Sequence, residues 1–400
     1  MMKGMNMMVK EYIQRSWDTT VRTTSGGEET LISLPHPYTV PCADGAFQEL
    51  YYWDTYFTNR GLLLSGREEL VLSNLKNFAY LINTYGFIPN GNRTYYLNRS
   101  QPPFFGMMLA DYYRATGDKA FLREGYQALC KEYTFWMTRR LSPNGLNCYS
   151  ADARDDEYGP YVGLYAGRTG IFLEGDVKTC GTHVMAEAES GWDFNPRFHS
   201  RCHDYNPVDL NSLLWFDETF LGECERTLGI GDGESWDGKA YDRKEKMISL
   251  MRDGDGVFYD YCYADDVRGD VVSCAAFYPA AVGMIEDDRG MDILLRELEL
   301  AHGLQATGHV EGNFQWGEKN GWAALQLMAY EALAHVGRAD DAERIARKYV
   351  SMVERTFEET GRLWEKYNIV TGDHRALSEY GTPEMLGWSA GVYMALSDVL

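Results

Sequence analysis

Apolar residues that recur every three and four positions limit the fold of this sequence more than any other feature. In 339–357, Ala339, Ala342, Ile345, Ala346, Tyr349, Val350, Val353 and Phe357 form one stripe, and in 118–137 Leu122, Tyr126, Leu129, Tyr133 and Trp136 form another. This spacing places the apolar side chains on one face of a helix. Further candidates lie at 49–65, 67–84, 103–116, 208–228, 236–252, 271–286, 290–303, 320–336 and 383–398. The chain therefore reads as all-α, with about eleven or twelve short-linked helices. Three links share a form: Gly66-Arg67-Glu68-Glu69, Gly117-Asp118-Lys119-Ala120 and Gly337-Arg338-Ala339-Asp340-Asp341 each close one helix and open the next. Glycine suits the left-handed position after a helix, and acids suit the first turn of the following one. Stacked antiparallel helix hairpins are predicted, and the uneven spacing excludes a solenoid repeat. Residues 86–103 and 141–206, rich in turn formers, read as irregular, a property usually tied to function in a compact domain. No Pro/Ser-rich linker or charge block splits the chain, which argues for one domain.

Composition narrows the function classes. Among 400 residues, 59 acidic side chains oppose 38 basic ones, for a net charge of −21. Nucleic acid and anionic membrane need basic patches, so both are excluded as main partners. No apolar run reaches the length of about 18 residues that a membrane span requires. The start, MMKGMNMMVKEY, carries no apolar run of signal-peptide length, and none of the eight cysteines forms a CxxC pair. Together these features lead to an expectation of a cytoplasmic protein with free thiols. The 10 Trp, 28 Tyr and 17 Phe residues suit either core packing or a pocket of flat apolar faces with polar tips, as sugars need.

The common nucleotide, zinc-protease and serine-hydrolase motifs are missing. His199 and His203 have the i, i+4 spacing of a metal pair beside Cys202 and Asp204, but the following Asn206-Pro207 speaks for surface or capping roles. Carboxylates set among aromatics are the better lead: Glu49-Leu50-Tyr51-Tyr52-Trp53-Asp54, Glu189-Ser190-Gly191-Trp192-Asp193 and Trp364-Glu365-Lys366-Tyr367. A carboxyl against an indole in a cleft has its charged form disfavoured and can serve as a general acid. A second, ionised carboxylate can activate water, and two such groups facing one sugar constitute glycosidase chemistry.

At these residues the sequence resembles the trehalase family of glycoside hydrolases, family 37. FQELYYWDTYF (47–57) is similar to that family's first signature, and GFIPNGNRTYYLNRSQPPFF (86–105) follows its next segment closely. AESGWDFNPRF (188–198), PVDLNSLLW (207–215), QWGEKNGWAALQ (315–326), LWEKYNI (363–369) and EY…GWSAGV (379–392) come in family order. The match runs from about residue 35 to 395, which divides the chain into an N-terminal extension over 1–34 and a single catalytic domain over 35–400.

The resemblance implies an (α/α)6 toroid and an inverting reaction on a small α-glucoside, with trehalose the first candidate substrate and no metal or organic cofactor. It assigns the general acid to Asp193 and the general base to Glu365. Carboxyls roughly 6.5–9.5 Å apart leave space for the attacking water in such enzymes. By the same resemblance Phe47, Tyr51, Trp53 and Asp54 line the sugar site, Asn90, Arg99, Ser100 and Gln101 fall on the binding loop, and Gly191, Trp316 and Glu379 match further pocket positions. The partner implied is a small carbohydrate; oligomeric state is left open. The sequence also departs from the family pattern. The pocket arginine ahead of the first signature is replaced by Ala46, and 153–170 stands in place of an Arg-Pro-Glu-Ser segment, with Arg154 and Arg168 unassigned. QWGEKNGW has lost an Asp and a Pro. A related α-glycosidase on another glucoside, and a sugar-binding protein without turnover, are the alternative readings.

Overall fold

The computed structural model describes residues 2–24, 29–376 and 380–400. Its helices begin with α1 (Met2–Ser16), α2 (Tyr52–Leu64), α3 (Glu68–Tyr85), α4 (Phe105–Thr116) and α5 (Lys119–Arg139). There follow α6 (Asp155–Thr169), α7 (Val177–Glu189), α8 (Val208–Leu228), α9 (Glu234–Met251) and the short α10 (Tyr278–Ala281). The last are α11 (Met291–Leu298), α12 (Ala323–His335), α13 (Ala339–Thr360) and α14 (Gly387–Asp398). The linking glycines 66, 117 and 337 all take positive φ, and Glu68, Glu69, Asp340 and Asp341 occupy first turns as the sequence predicts.

These helices form a double ring. α2 packs on α4, α4 on α8, α8 on α10, α10 on α12 and α12 on α14, and α14 returns to α2. Outside them, α3 and α5 pack against α4, α9 against α8, and α13 against α12 and α14. Sequence pattern decides the layer. Residues Ala323–Ala329 of α12 are buried on every side, whereas α13 buries a stripe through Ile345, Ala346, Tyr349 and Val353 and exposes Glu343 and Arg347. A helix that is apolar all round belongs inside, and an amphipathic one belongs at the rim. The first and last inner helices close the ring backbone to backbone. A Cβ on Gly61 would lie 2.6 Å from the Gly391 Cα, and one on Gly391 would overlap the Phe57 carbonyl, so side chains are excluded at both positions. The result is the (α/α)6 barrel expected.

Several segments depart from a simple reading of the sequence. The segment 1–34, read as an N-terminal extension, begins inside the domain: α1 packs on α13 and α14, and Val9, Ile13 and the following Trp17 are fully buried in the main core. Val9 and Ile13 each contribute about 1.5–3 kcal/mol by burial. The stretch 141–206 is not wholly irregular, because α6 and α7 form a hairpin within it. Gly159, Gly163, Gly167 and Pro160 mask α6, since each lowers intrinsic helix stability. Packing on α7, with a small core of Tyr165, Val184 and Phe194, holds it. Conversely, 271–286 is a 3₁₀ turn (Cys274–Phe277) leading into α10, and 290–303 ends its helix at Leu298, where Glu299–Leu300 pairs with Gly303–Leu304. A further antiparallel pair, Asn320–Trp322 with Lys366–Asn368, sets Trp322 opposite Lys366. Among the described residues, no helix is long and apolar enough to cross a membrane.

Candidate active site

Trp53 and Asp54 lie in the first turn of α2, Trp322 directly precedes α12, and Trp388 is the second residue of α14. All four line one cavity of about 690 Å³, within the range of about 300–1,000 Å³ usual for small-molecule sites. The site thus sits at the N-terminal ends of inner helices. Loops supply the rest of its wall, and α6 covers one side through Tyr161, Leu164 and Arg168. The floor is aromatic. Trp316 stacks on Trp322 with ring centres 3.8 Å apart and an interplanar angle of 3°, and Trp53 and Trp388 meet edge-on at 5.7 Å.

Among the described residues, three carboxyls open onto this cavity: Asp54, Asp193 and Glu365. Burial pushes Asp54 up to about 7, and the negative charges of Glu365 and Asp193 add to the effect. Asp193 is raised to about 6, again first by burial, while Arg168 and Arg99 pull it down. Arg168 Nη1 lies 3.5 Å from Asp193 Oδ2. Glu365 is held differently. Tyr380 donates to its Oε1 at 2.7 Å and Lys366 Nζ to its Oε2 at 2.5 Å. Its carbonyl accepts from Trp388 Nε1 at 2.8 Å.

Most of the residues singled out from sequence come together here. Phe47, Tyr51, Trp53 and Asp54 line the cavity, as do Asn90, Arg99 and Gln101, and Gly191 and Trp316 complete the set. Gly191 has φ of +76°, and a Cβ there would meet Trp53 Cε2 at 2.9 Å, so the chain can turn toward Asp193 only with glycine. Gln101 Oε1 accepts from the Trp53 amide at 3.2 Å, tying the binding loop to α2. Ser100 is corrected: it is buried behind the wall, its hydroxyl donating to the Ile88 carbonyl and its amide to Glu189. Glu379 lies outside the described residues.

Other carboxylates of the aromatic motifs are already engaged. Glu189 is fully buried and accepts from both Arg140 Nε and Nη2 at 2.8 Å and from the Ser150 amide. Glu49 accepts from Arg93 and from the Tyr51 hydroxyl. His199 turns to Asp270 and His203 donates to the Tyr149 carbonyl, so their spacing does not assemble a metal pair. Ala46 is exposed and does not line the cavity.

Sequence reasoning missed several wall residues, among them the polar Tyr161, Arg168, Gln315 and Tyr380. Gln315 and Tyr380 stand inside the motifs quoted above and could have been read from them. Arg168 and Tyr161 sit in the divergent 153–170 segment, where only the folded hairpin reveals their direction. Arg99 donates to Tyr161 at 2.6 Å, and Gln315 Nε2 to the Asp193 carbonyl at 2.9 Å. Arg99 Nε and Gln315 Oε1 are buried without a protein partner.

An α/α double ring that presents carboxyls with separate environments over a tryptophan floor holds the groups that glycosidase chemistry requires. Comparison with known proteins narrows the class. The profile of the family described as Trehalase matches residues 2–399, and the chain belongs to that family. A periplasmic trehalase of Xanthomonas oryzae pv. oryzae is 35% identical over 419 residues, covering 97% of this chain and 72% of the relative. One of Pseudomonas aeruginosa is 35% identical over 398 residues, covering 92% and 72%. The solved neutral trehalase of Saccharomyces cerevisiae superposes with a TM-score of 0.78 at 26% identity, over 98% of this chain and 80% of that one. A mannosylglycerate hydrolase of Thermus thermophilus shares the fold, with a TM-score of 0.67 at 15% identity over 98% and 100% of the two chains.

The expectation of a cytoplasmic location is overturned by these relatives, several of which are named periplasmic trehalases. The cysteine argument behind it fails for a physical reason. Seven of the eight free thiols are buried, and a shielded thiol is inert whatever the redox state outside.

Proposed function

We propose that this chain hydrolyses trehalose to two glucose molecules with inversion, Asp193 acting as general acid and Glu365 as general base. One observation carries the reading: two carboxyls in one cavity are held in contrasting ways, Asp193 raised by burial and Glu365 bonded at both oxygens by donors. Asp193 passes its proton to the glycosidic oxygen as the C1–O bond breaks. Glu365 takes a proton from the water whose oxygen bonds to C1 from the opposite face. Solvent then removes the proton from Glu365 and returns one to Asp193, so the cycle consumes one water and closes.

The rings of Phe47, Tyr51, Trp53 and Trp316 are read as cover for the C–H faces of the sugar. Asp54, Asn90, Arg99 and Gln101 are read as partners of its hydroxyls. The unpartnered Arg99 Nε and Gln315 Oε1 support this, because buried polar atoms left unpaired by protein are the donors and acceptors a polar ligand completes. The test is proton NMR of the sugar released by the wild type, Asp193→Asn and Glu365→Gln. Each variant is expected to lose about 10²–10⁴-fold in kcat, and the wild type to release β-glucose alongside α-glucose from the first turnovers. A wild-type rate in either variant, or α-glucose alone at early times, refutes the assignment.

A further inference from the structure

Glu365 is 2% exposed and Lys366 is fully buried. Adjacent side chains in an extended strand point to opposite sides, so contact between residues 365 and 366 is not a consequence of sequence proximity. The fold imposes it. The strand begins only at Lys366, while the Glu365 amide bonds the Pro383 carbonyl and its own carbonyl accepts from Trp388. Lys366 stands opposite Trp322 in register, with its ammonium 4.8 Å from the Trp322 ring centre and 4.3 Å from that of Tyr380. The ammonium thus meets one carboxyl and two aromatic faces.

We propose, resting on the reading of Glu365 as the base, that Lys366 and Tyr380 are positioning residues that fix the orientation of the Glu365 carboxyl toward the attacking water. Each Glu365 oxygen accepts one protein bond and keeps a second lone pair for water. The groups that face Glu365 come from several elements. Asp54 stands on α2, Asp193 follows α7 with Arg168 of α6 beside it, and the buried Cys42 precedes α2. The two aspartates and Cys42 oppose a charge on Glu365 whenever they ionise. Among the described residues, Lys366 is the cation in direct contact with it.

The test is the pH profile of kcat/KM on trehalose for the wild type, Lys366→Met, Tyr380→Phe and Glu365→Gln, each checked for folding by circular dichroism and thermal melting. The acidic limb is expected to move up by about 1–3 pH units in Lys366→Met, since that is what loss of an adjacent opposite charge does. In Tyr380→Phe it is expected to move the same way by about one unit. A purely structural role would lower activity at every pH and leave the limb in place. If Lys366→Met does not fold, Tyr380→Phe decides alone. An acidic limb in Tyr380→Phe, or in folded Lys366→Met, that coincides with the wild type overturns the positioning role. Activity retained by Glu365→Gln instead overturns the base assignment and this inference with it.

Discussion

Arg168→Met removes a cation whose Nη1 stands 3.5 Å from Asp193 Oδ2. Burial is the main cause that raises Asp193 to about 6, and Arg168 is the largest force pulling the other way. Loss of the guanidinium must therefore raise the acid further. Unit charges at that distance attract by about 4.7 kcal/mol at an effective dielectric of 20 and by about 1.2 kcal/mol in water. The two side chains are 26% and 40% exposed, so the screened end of that range applies, about 1–2 kcal/mol, or about one pH unit. The assay is kcat/KM from glucose release across the pH range, at low salt and at about 1 M salt, where the Debye length shrinks to about 3 Å. The basic limb reports the free enzyme's acid. It should lie near 6 in the wild type and about one unit higher in the variant. High salt should move the wild type toward the variant and barely change the variant itself. A basic limb that stays fixed, or moves down, refutes Arg168 as the counter-charge and weakens Asp193 as the acid.

Two other perturbations test the frame around the site. Gly191→Ala forces a left-handed alanine against Trp53, and strain plus overpacking should cost about 2–4 kcal/mol. Denaturant melts should show the loss and kcat should fall with it, because Asp193 is two residues on; wild-type values in both would contradict the close-approach argument. Glu132, fully buried beneath the Tyr52 hydroxyl, is pushed up to about 8 by burial. The folded chain therefore keeps a proton that the unfolded chain releases above its ordinary carboxylate range. Stability should fall as pH rises from about 4.5 to 8, by about 1.4 kcal/mol per pH unit from this group. Glu132→Gln should flatten that slope in melts taken at several pH values, and an unchanged slope would mean Glu132 is ionised in the fold.

Much of the fold was legible because helix periodicity is a short-range property. The stripe of α13 and the glycine–acid links need only a few neighbouring residues to be read, and packing followed them. α6 was not legible, since Gly159, Pro160, Gly163 and Gly167 argue locally against the helix that contact with α7 sustains. α10 failed in the opposite sense, an apolar stretch that packing between α8 and α12 leaves as a single turn.

The site divides along the same line. Motif order singled out Asp193 and Glu365, and both reach the cavity. It could not say which acids stay available, because that depends on partners far away in the chain. Glu189 is neutralised by Arg140 from 49 residues away and Glu49 by Arg93 from 44. Arg168 and Gln315 reach Asp193 from separations of 25 and 122 residues. The sequence by itself determined most of the helices, their hairpin linkage and the chemical candidates. Tertiary structure decided which carboxyls are spent on ion pairs and which face the cavity, since charge and burial act across space and take no account of order along the chain.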